Sequence, residues 1–306
     1  MPFQHLLTAS GDGVFEIVLN RPEKLNALGI GPGSNREEIL EALAQADADP
    51  QVGCILIRGN GRSFCAGGDL AGAPKTENAL DEHLFGAALV RFYTAMRATH
   101  KPIVAAVHGH CLGAGLGLLA QCDLVIAADD ARFGLVEGRI GHPGATEIVP
   151  LVGAAWAKFL LLTGELIDAA TAEKIGLVLT TVPSATLTAR CQDLARRIGR
   201  MPREATILNK AGVQQMSEAM GRSAGRLVGR AYDSLTKSMS EQAQAPDGRR
   251  FADILREGGV AELKRARDLQ FRESWLHSPS AGSLTGNQGT NQTSGGSPAD
   301  DRTDAT

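Results

Sequence analysis

The chain has 306 residues, 31 basic against 34 acidic side chains, and a net charge of −3; it is long enough to bury a sizeable core, and this balance, with only 4% aromatic residues, provides neither the basic face nor the stacking platforms that nucleic-acid binding needs. No apolar run approaches the ~20 residues of a membrane span, and the N-terminal MPFQHLLTASGDG lacks the pattern of a secretion signal. Five scattered cysteines, at 54, 65, 111, 122 and 191, read as reduced thiols, so the expectation is a cytoplasmic protein with no membrane partner.

In chain order, VFEIVL (14–19) alternates as a strand does, and NRPEKLNAL follows as a loop. NREEILEALAQADAD (35–49) reads as an amphipathic helix with acids in its first turn. VGCILIRG (52–59) is a buried strand, NGRSFCAGGDL a glycine-punctuated loop, and 79–99 a helix. KPIVAAV is a strand, HCLGAGLGLL opens a helix running through Gln121, and DLVIAA is another strand. Strands alternating with helices indicate a mainly parallel α/β core. From 154 to about 272 helical patterns dominate, GLVLTTV (176–182) excepted. The expected organisation is a core over 1–183, a helical region over 184–277 and a disordered tail over 278–306. The tail is rich in Ser, Gly, Thr, Asn and Asp and cannot bury enough apolar surface to offset its ordering entropy.

Two glycine turns stand out: Cys65-Ala66-Gly67-Gly68-Asp69 and Gly113-Ala114-Gly115-Leu116-Gly117. Each is expected to follow a strand and precede a helix, where the first amides have no internal acceptor. Two such amides aimed at one point would hold an oxyanion. A dinucleotide fingerprint is the weaker reading, because the second turn lacks the full G-x-G-x-x-G spacing. His108, His110, Cys111 and Cys122 show no metal-ligand spacing, so no metal is expected.

Taken in order, NRPEKLNAL, GRSFCAGGDL, KPIVAAVHGHCLGAGLGLLAQCDLVIAADDARFG and LTGELIDAATAEKIGLV closely resemble the crotonase superfamily, the enoyl-CoA hydratase/isomerase fold, over roughly residues 3–272. The resemblance implies a spiral of ββα units with a C-terminal helical trimerisation region, assembled as a homotrimer or a dimer of trimers. It implies acyl-CoA thioester substrates and no separate cofactor, since CoA is part of the substrate. The thioester oxygen would sit between the amides of Gly68 and Ala114. Proton removal beside a thioester puts charge on that oxygen, and losing one such donor typically costs ~100–1,000-fold in rate.

By the same matching, Lys24, Leu25, Ala27, Ala66, Gly67, Asp69, Leu70 and Gly113 would contact the substrate or its CoA, and His110 would face the acyl pocket. Lys264, Arg265 and Arg267 could meet the phosphates, from this subunit or a neighbour. One glutamate of the family's hydratases falls on Gly117, so that carboxylate is absent. The second falls on Glu137 in ARFGLVEGRIG. A single carboxylate suits a proton shuttle between two carbons, as in enoyl-CoA isomerases. The following segment, GHPGATEIVPLVG (141–153), is several residues shorter than the family pattern and brings Glu147 and His142 forward as substitute second acids. Standard hydration with such an acid, or a weakly active acyl-CoA-binding paralogue, are the alternatives.

Overall fold

The central strands of this chain are apolar on both faces, and that composition drives them inside. Ile103–Val107 is buried at every position, and Cys54–Gly59 at all but Arg58, the pattern of parallel strands covered on both sides. In the computed structural model, which describes residues 2–70, 78–142, 144–240, 242–271 and 274–276, a six-stranded sheet runs in the order β1-β2-β3-β4-β6-β9. Its strands are β1 (Leu6–Gly11), β2 (Val14–Leu19), β3 (Cys54–Gly59), β4 (Ile103–Val107), β6 (Leu124–Ala128) and β9 (Thr180–Val182). Only the β1–β2 hairpin is antiparallel. A second sheet joins β5 (His110–Leu112), β7 (Arg132–Gly134) and β8 (Ile167–Asp168).

The two sheets are linked by corners. β4 stops at Val107 and β5 starts at His110; Gly109 turns between them at φ 56°, where a Cβ would lie 2.1 Å from the Arg62 carbonyl. No other residue fits so close an approach. β6 passes to β7 through Asp129, Asp130 and Ala131. Strand, corner, strand and helix form the repeating ββα unit.

Helices α1 (Asn35–Ala48), α2 (Ala79–Ala98), α3 (Ala114–Leu119), α4 (Val149–Thr163) and α5 (Ala169–Lys174) fill the connections. They are followed by α6 (Leu187–Gly199), α7 (Arg203–Ala219), α8 (Arg222–Ser240) and α9 (Phe251–Asp268). Leu187, Cys191 and Ala195 of α6 pack on Val14, Leu56, Val104 and Ile126 of the large sheet, each fully buried aliphatic side chain contributing ~1.5–3 kcal/mol. Residues 1–272 form one compact unit, so α6 shares the core of the strands before 183. The expected tail, 278–306, lies outside the described residues.

Several sequence expectations change here. β1, β5, β7 and β8 were not legible, and of GLVLTTV only Thr180–Val182 pairs in a sheet. After the first glycine turn Leu70 is in a 3₁₀ conformation, residues 71–77 lie outside the described residues, and α2 begins at Ala79. One stretch, Thr146–Thr163, is long and apolar enough to span a membrane by composition, with 28% of it buried; it contains a kink at Gly153 (φ 75°, ψ 162°).

Candidate active site

The loop before α1 positions the first glycine turn. Asn26, wholly buried and held at φ 56°, donates from its amide to the carbonyls of Asn60 and Ser63. Asn35, at the start of α1, accepts from the Gly29 amide and donates to Ala27. The loop so fixed offers two carbonyls: Leu25 accepts from the Ala66 amide at 3.0 Å and Leu28 from the Asp69 amide at 2.9 Å. Leu28 in turn donates to Gly67 at 2.8 Å. The Gly68 amide lies between these bonds, and nothing stands within 4 Å of where a Gly68 Cβ would point.

The second turn lies alongside. Cys65 and Cys111 bridge in parallel, and a Cβ on Gly67 would be 4.0 Å from the Ala114 nitrogen. Ala114 is the first residue of α3, so its amide has no acceptor within the helix. Gly113, at φ 50°, faces the acid: a Cβ there would lie 3.1 Å from Glu137 Oε2. Glu137 stands on a 3₁₀ turn, Val136–Ile140, and a Cβ on Gly144 would reach its Oε1 at 3.1 Å. Both glycines therefore leave room for the carboxylate. Burial pushes the Cys65 thiol up to about 11, so this neighbour of the turn is not a thiolate nucleophile at neutral pH.

One cavity of about 670 Å³ runs past all of these groups. Gly68, Ala114, Gly113 and Glu137 line it, as do Glu147 and His142. Lys24, Leu25, Ala27, Ala66, Gly67, Asp69 and Leu70, expected on the CoA path, line it too. Asp69 uses its carboxylate to hold Arg21 and Lys24, at 2.8 and 3.0 Å. Burial works against its ionisation, but these two cations keep its carboxyl below the ordinary range. Lys264 and Arg267 line the cavity from this chain's own α9.

Two of the expected residues do not line the cavity. His110 is exposed, lies outside the cavity lining and approaches Ser63 Oγ at 3.4 Å; the corner at Gly109 aims it away from the acyl side. Arg265 is exposed and pairs with Glu262 at 2.9 Å.

Sequence reading missed Tyr93, Arg36 and Arg226, all on the cavity wall. Tyr93, from α2, donates to the Ala114 carbonyl at 3.3 Å. A Cβ on Gly117 would fall 2.9 Å from its hydroxyl. The phenol thus occupies the space that a side chain at 117 would enter. Burial first, and the Glu147 carboxylate with it, pushes the phenol up against the pull of Arg36, so it stays protonated. Arg226, from α8, stands 3.9 Å from Glu147. No local pattern marks these residues, since each is a single polar position on a long helix.

An α/β spiral whose two glycine turns and Glu137 meet in a single cavity has the crotonase architecture. The chain belongs to the enoyl-CoA hydratase/isomerase family, whose model matches residues 9–245. It is 36% identical over 225 residues to a probable enoyl-CoA hydratase of Mycobacterium leprae, covering 72% of this chain and 84% of that one. It is 34% identical to a crotonyl-CoA hydratase of Syntrophomonas wolfei, covering 70% and 83%. The crystal structure of an enoyl-CoA hydratase/isomerase from Xanthobacter autotrophicus superposes with a TM-score of 0.79 at 29% identity, over 89% of this chain and 100% of that one.

Proposed function

We propose that this chain shifts a proton between carbons of an enoyl-CoA thioester, with Glu137 as the one shuttling carboxylate. The carboxylate removes a proton from the carbon beside the thioester, and the electron pair moves onto the thioester oxygen. The Gly68 and Ala114 amides hold that oxyanion. Glutamic acid at 137 then returns the same proton two carbons further along, giving the conjugated enoyl thioester. Lys24, Lys264 and Arg267 receive the CoA phosphates. The observation that carries this reading is the Tyr93 hydroxyl in the space beside Gly117, so that a phenol stands where a side chain at 117 would supply the second carboxylate.

Glu137→Gln is expected to lower kcat on a 3-enoyl-CoA by at least ~100-fold with KM little changed, measured by NMR of the double-bond shift. A loss below tenfold removes Glu137 from the mechanism. The names of the hydratase relatives favour a second reading, addition of water with Glu147 or His142 assisting Glu137. Efficient hydration of crotonyl-CoA by the unaltered chain would establish that reading in place of the first. A trimer, or a dimer of such trimers, is the proposed assembly. In its support, α7 buries none of its residues within the chain, and Leu208, Val213 and Met216 on it are 67–73% exposed.

A further inference from the structure

Beyond Gly117 the cavity ends in charge instead of hydrocarbon. Gln121, one turn along from Gly117, donates to the Gly117 carbonyl at 2.7 Å. Its side-chain oxygen accepts from Arg226 Nη2 at 3.2 Å. Arg226 Nη1 donates to Thr94 Oγ1, beside Tyr93, at 2.9 Å. Arg226 Nε is buried without a hydrogen bond and stands 3.9 Å from Glu147 Oε1. Tyr93, Glu147, Arg226 and Arg36 all line the cavity, and the last three are at most 7% exposed.

We propose that this end of the cavity is a subsite for a carboxylate, so that the substrate is the CoA thioester of an unsaturated dicarboxylic acid. The proposal rests on the acyl-CoA reading above and names the acyl class within it. At this wall two guanidiniums, Arg36 and Arg226, line the cavity against one carboxylate, Glu147, while Arg97 pairs with Glu218 and Arg222 donates to the Ala120 carbonyl, all three off the lining. Arginine cannot shed its proton to relieve the excess. A buried positive charge facing a cavity is stabilised by an anion that enters it. Arg226 uses two of its five N–H groups in the bonds named, which leaves donors for a planar, bidentate acceptor. An alkyl terminus here would take water from Arg226 and Glu147 and return no hydrogen bond. Tyr93, protonated, adds a neutral donor beside the same wall.

The test pairs two thioesters that differ only at the far end, adipyl-CoA against hexanoyl-CoA for binding and trans-3-hexenedioyl-CoA (linked through one carboxyl) against trans-3-hexenoyl-CoA for turnover. The carboxylate member of each pair is expected to bind, and to react in kcat/KM, about 10–100-fold better, the range of a charge-assisted hydrogen-bonded pair. In Arg226→Gln that preference is lost, mainly through KM, while Arg226→Lys keeps part of it. Equal binding of adipyl-CoA and hexanoyl-CoA by the unaltered chain overturns the proposal, and this comparison decides even if the variants do not fold. Turnover of 3-hexenoyl-CoA with no carboxylate preference sinks the subsite and leaves the acyl-CoA reading standing. Tight adipyl-CoA binding with neither enoyl substrate turned over supports the subsite and sinks the proposed reaction.

Discussion

A Cβ at Gly117 would meet not only the Tyr93 hydroxyl but its ring carbon Cζ, at 3.1 Å, and a rigid ring cannot swing clear as a flexible chain would. Gly117→Glu therefore does not install the missing hydratase acid. It is expected to cost ~1–3 kcal/mol through overpacking, a fall of several degrees in melting temperature, with no gain in crotonyl-CoA hydration. Gly117→Glu together with Tyr93→Ala opens the space; a hydration gain in the single variant would show that Tyr93 yields. His142 carries a pH dependence. Burial lowers its pKa below the ordinary value of 6.5. As pH falls below about 6.5 the unfolded chain takes up a proton that the folded chain refuses, so stability declines from there down to the folded value and then levels. Urea titrations at pH 7.5 and 5.5 should show that decline, and His142→Gln should reduce it; equal slopes in both proteins would count against the assignment. Glu137 was readable from the sequence because a short motif frames it. Tyr93 was not, because only packing brings residue 93 of α2 against residue 117 of α3.

Among the elements, α3 shows how little freedom the second turn has. A Cβ on Gly115 would sit 2.5 Å from the Cys65 carbonyl and 2.8 Å from its Cβ. Gly115→Ala must therefore push the two glycine turns apart. The expected result is a loss of ~1–3 kcal/mol in denaturant titration and, if the Gly68 and Ala114 amides act as proposed, a fall in kcat larger than the rise in KM, since those amides lose their spacing; a melting temperature and kcat both unchanged would contradict the close approach. The long apolar strands β3, β4 and β6 and the periodic helices α1 and α2 were legible because burial sets their composition. Strands of two or three residues, β5, β7 and β8, have no room for a period. They exist because a tight corner, at Gly109 before β5 and at Asp129–Ala131 before β7, returns the chain beside a partner, and neither the corner nor the partner is a local property.

For the whole molecule, Leu208, Val213 and Met216 on α7 and Leu227, Val228 and Tyr232 on α8 are exposed apolar side chains of the kind that an assembly covers. Val213→Asp with Met216→Asp is expected to reduce the assembly to smaller species in light scattering coupled to gel filtration. Shortening the chain after His277 should leave mass, melting temperature and turnover unchanged, because composition provides the tail with no face to bury. A shortened chain that runs as a monomer would show that the tail takes part in assembly.

By itself the sequence determined the family, the parallel core, the two glycine turns and Glu137, because glycine, β-branched runs and a framed carboxylate act through their nearest neighbours. Tertiary structure alone decided the rest. It turned His110 outward at the Gly109 corner, filled the place beside Gly117 with Tyr93, and set Arg226 against Glu147 at the end of the cavity. Residues 93, 117, 147 and 226 are far apart along the chain, and what each can do depends on the charge and volume of the others. Only packing brings those together.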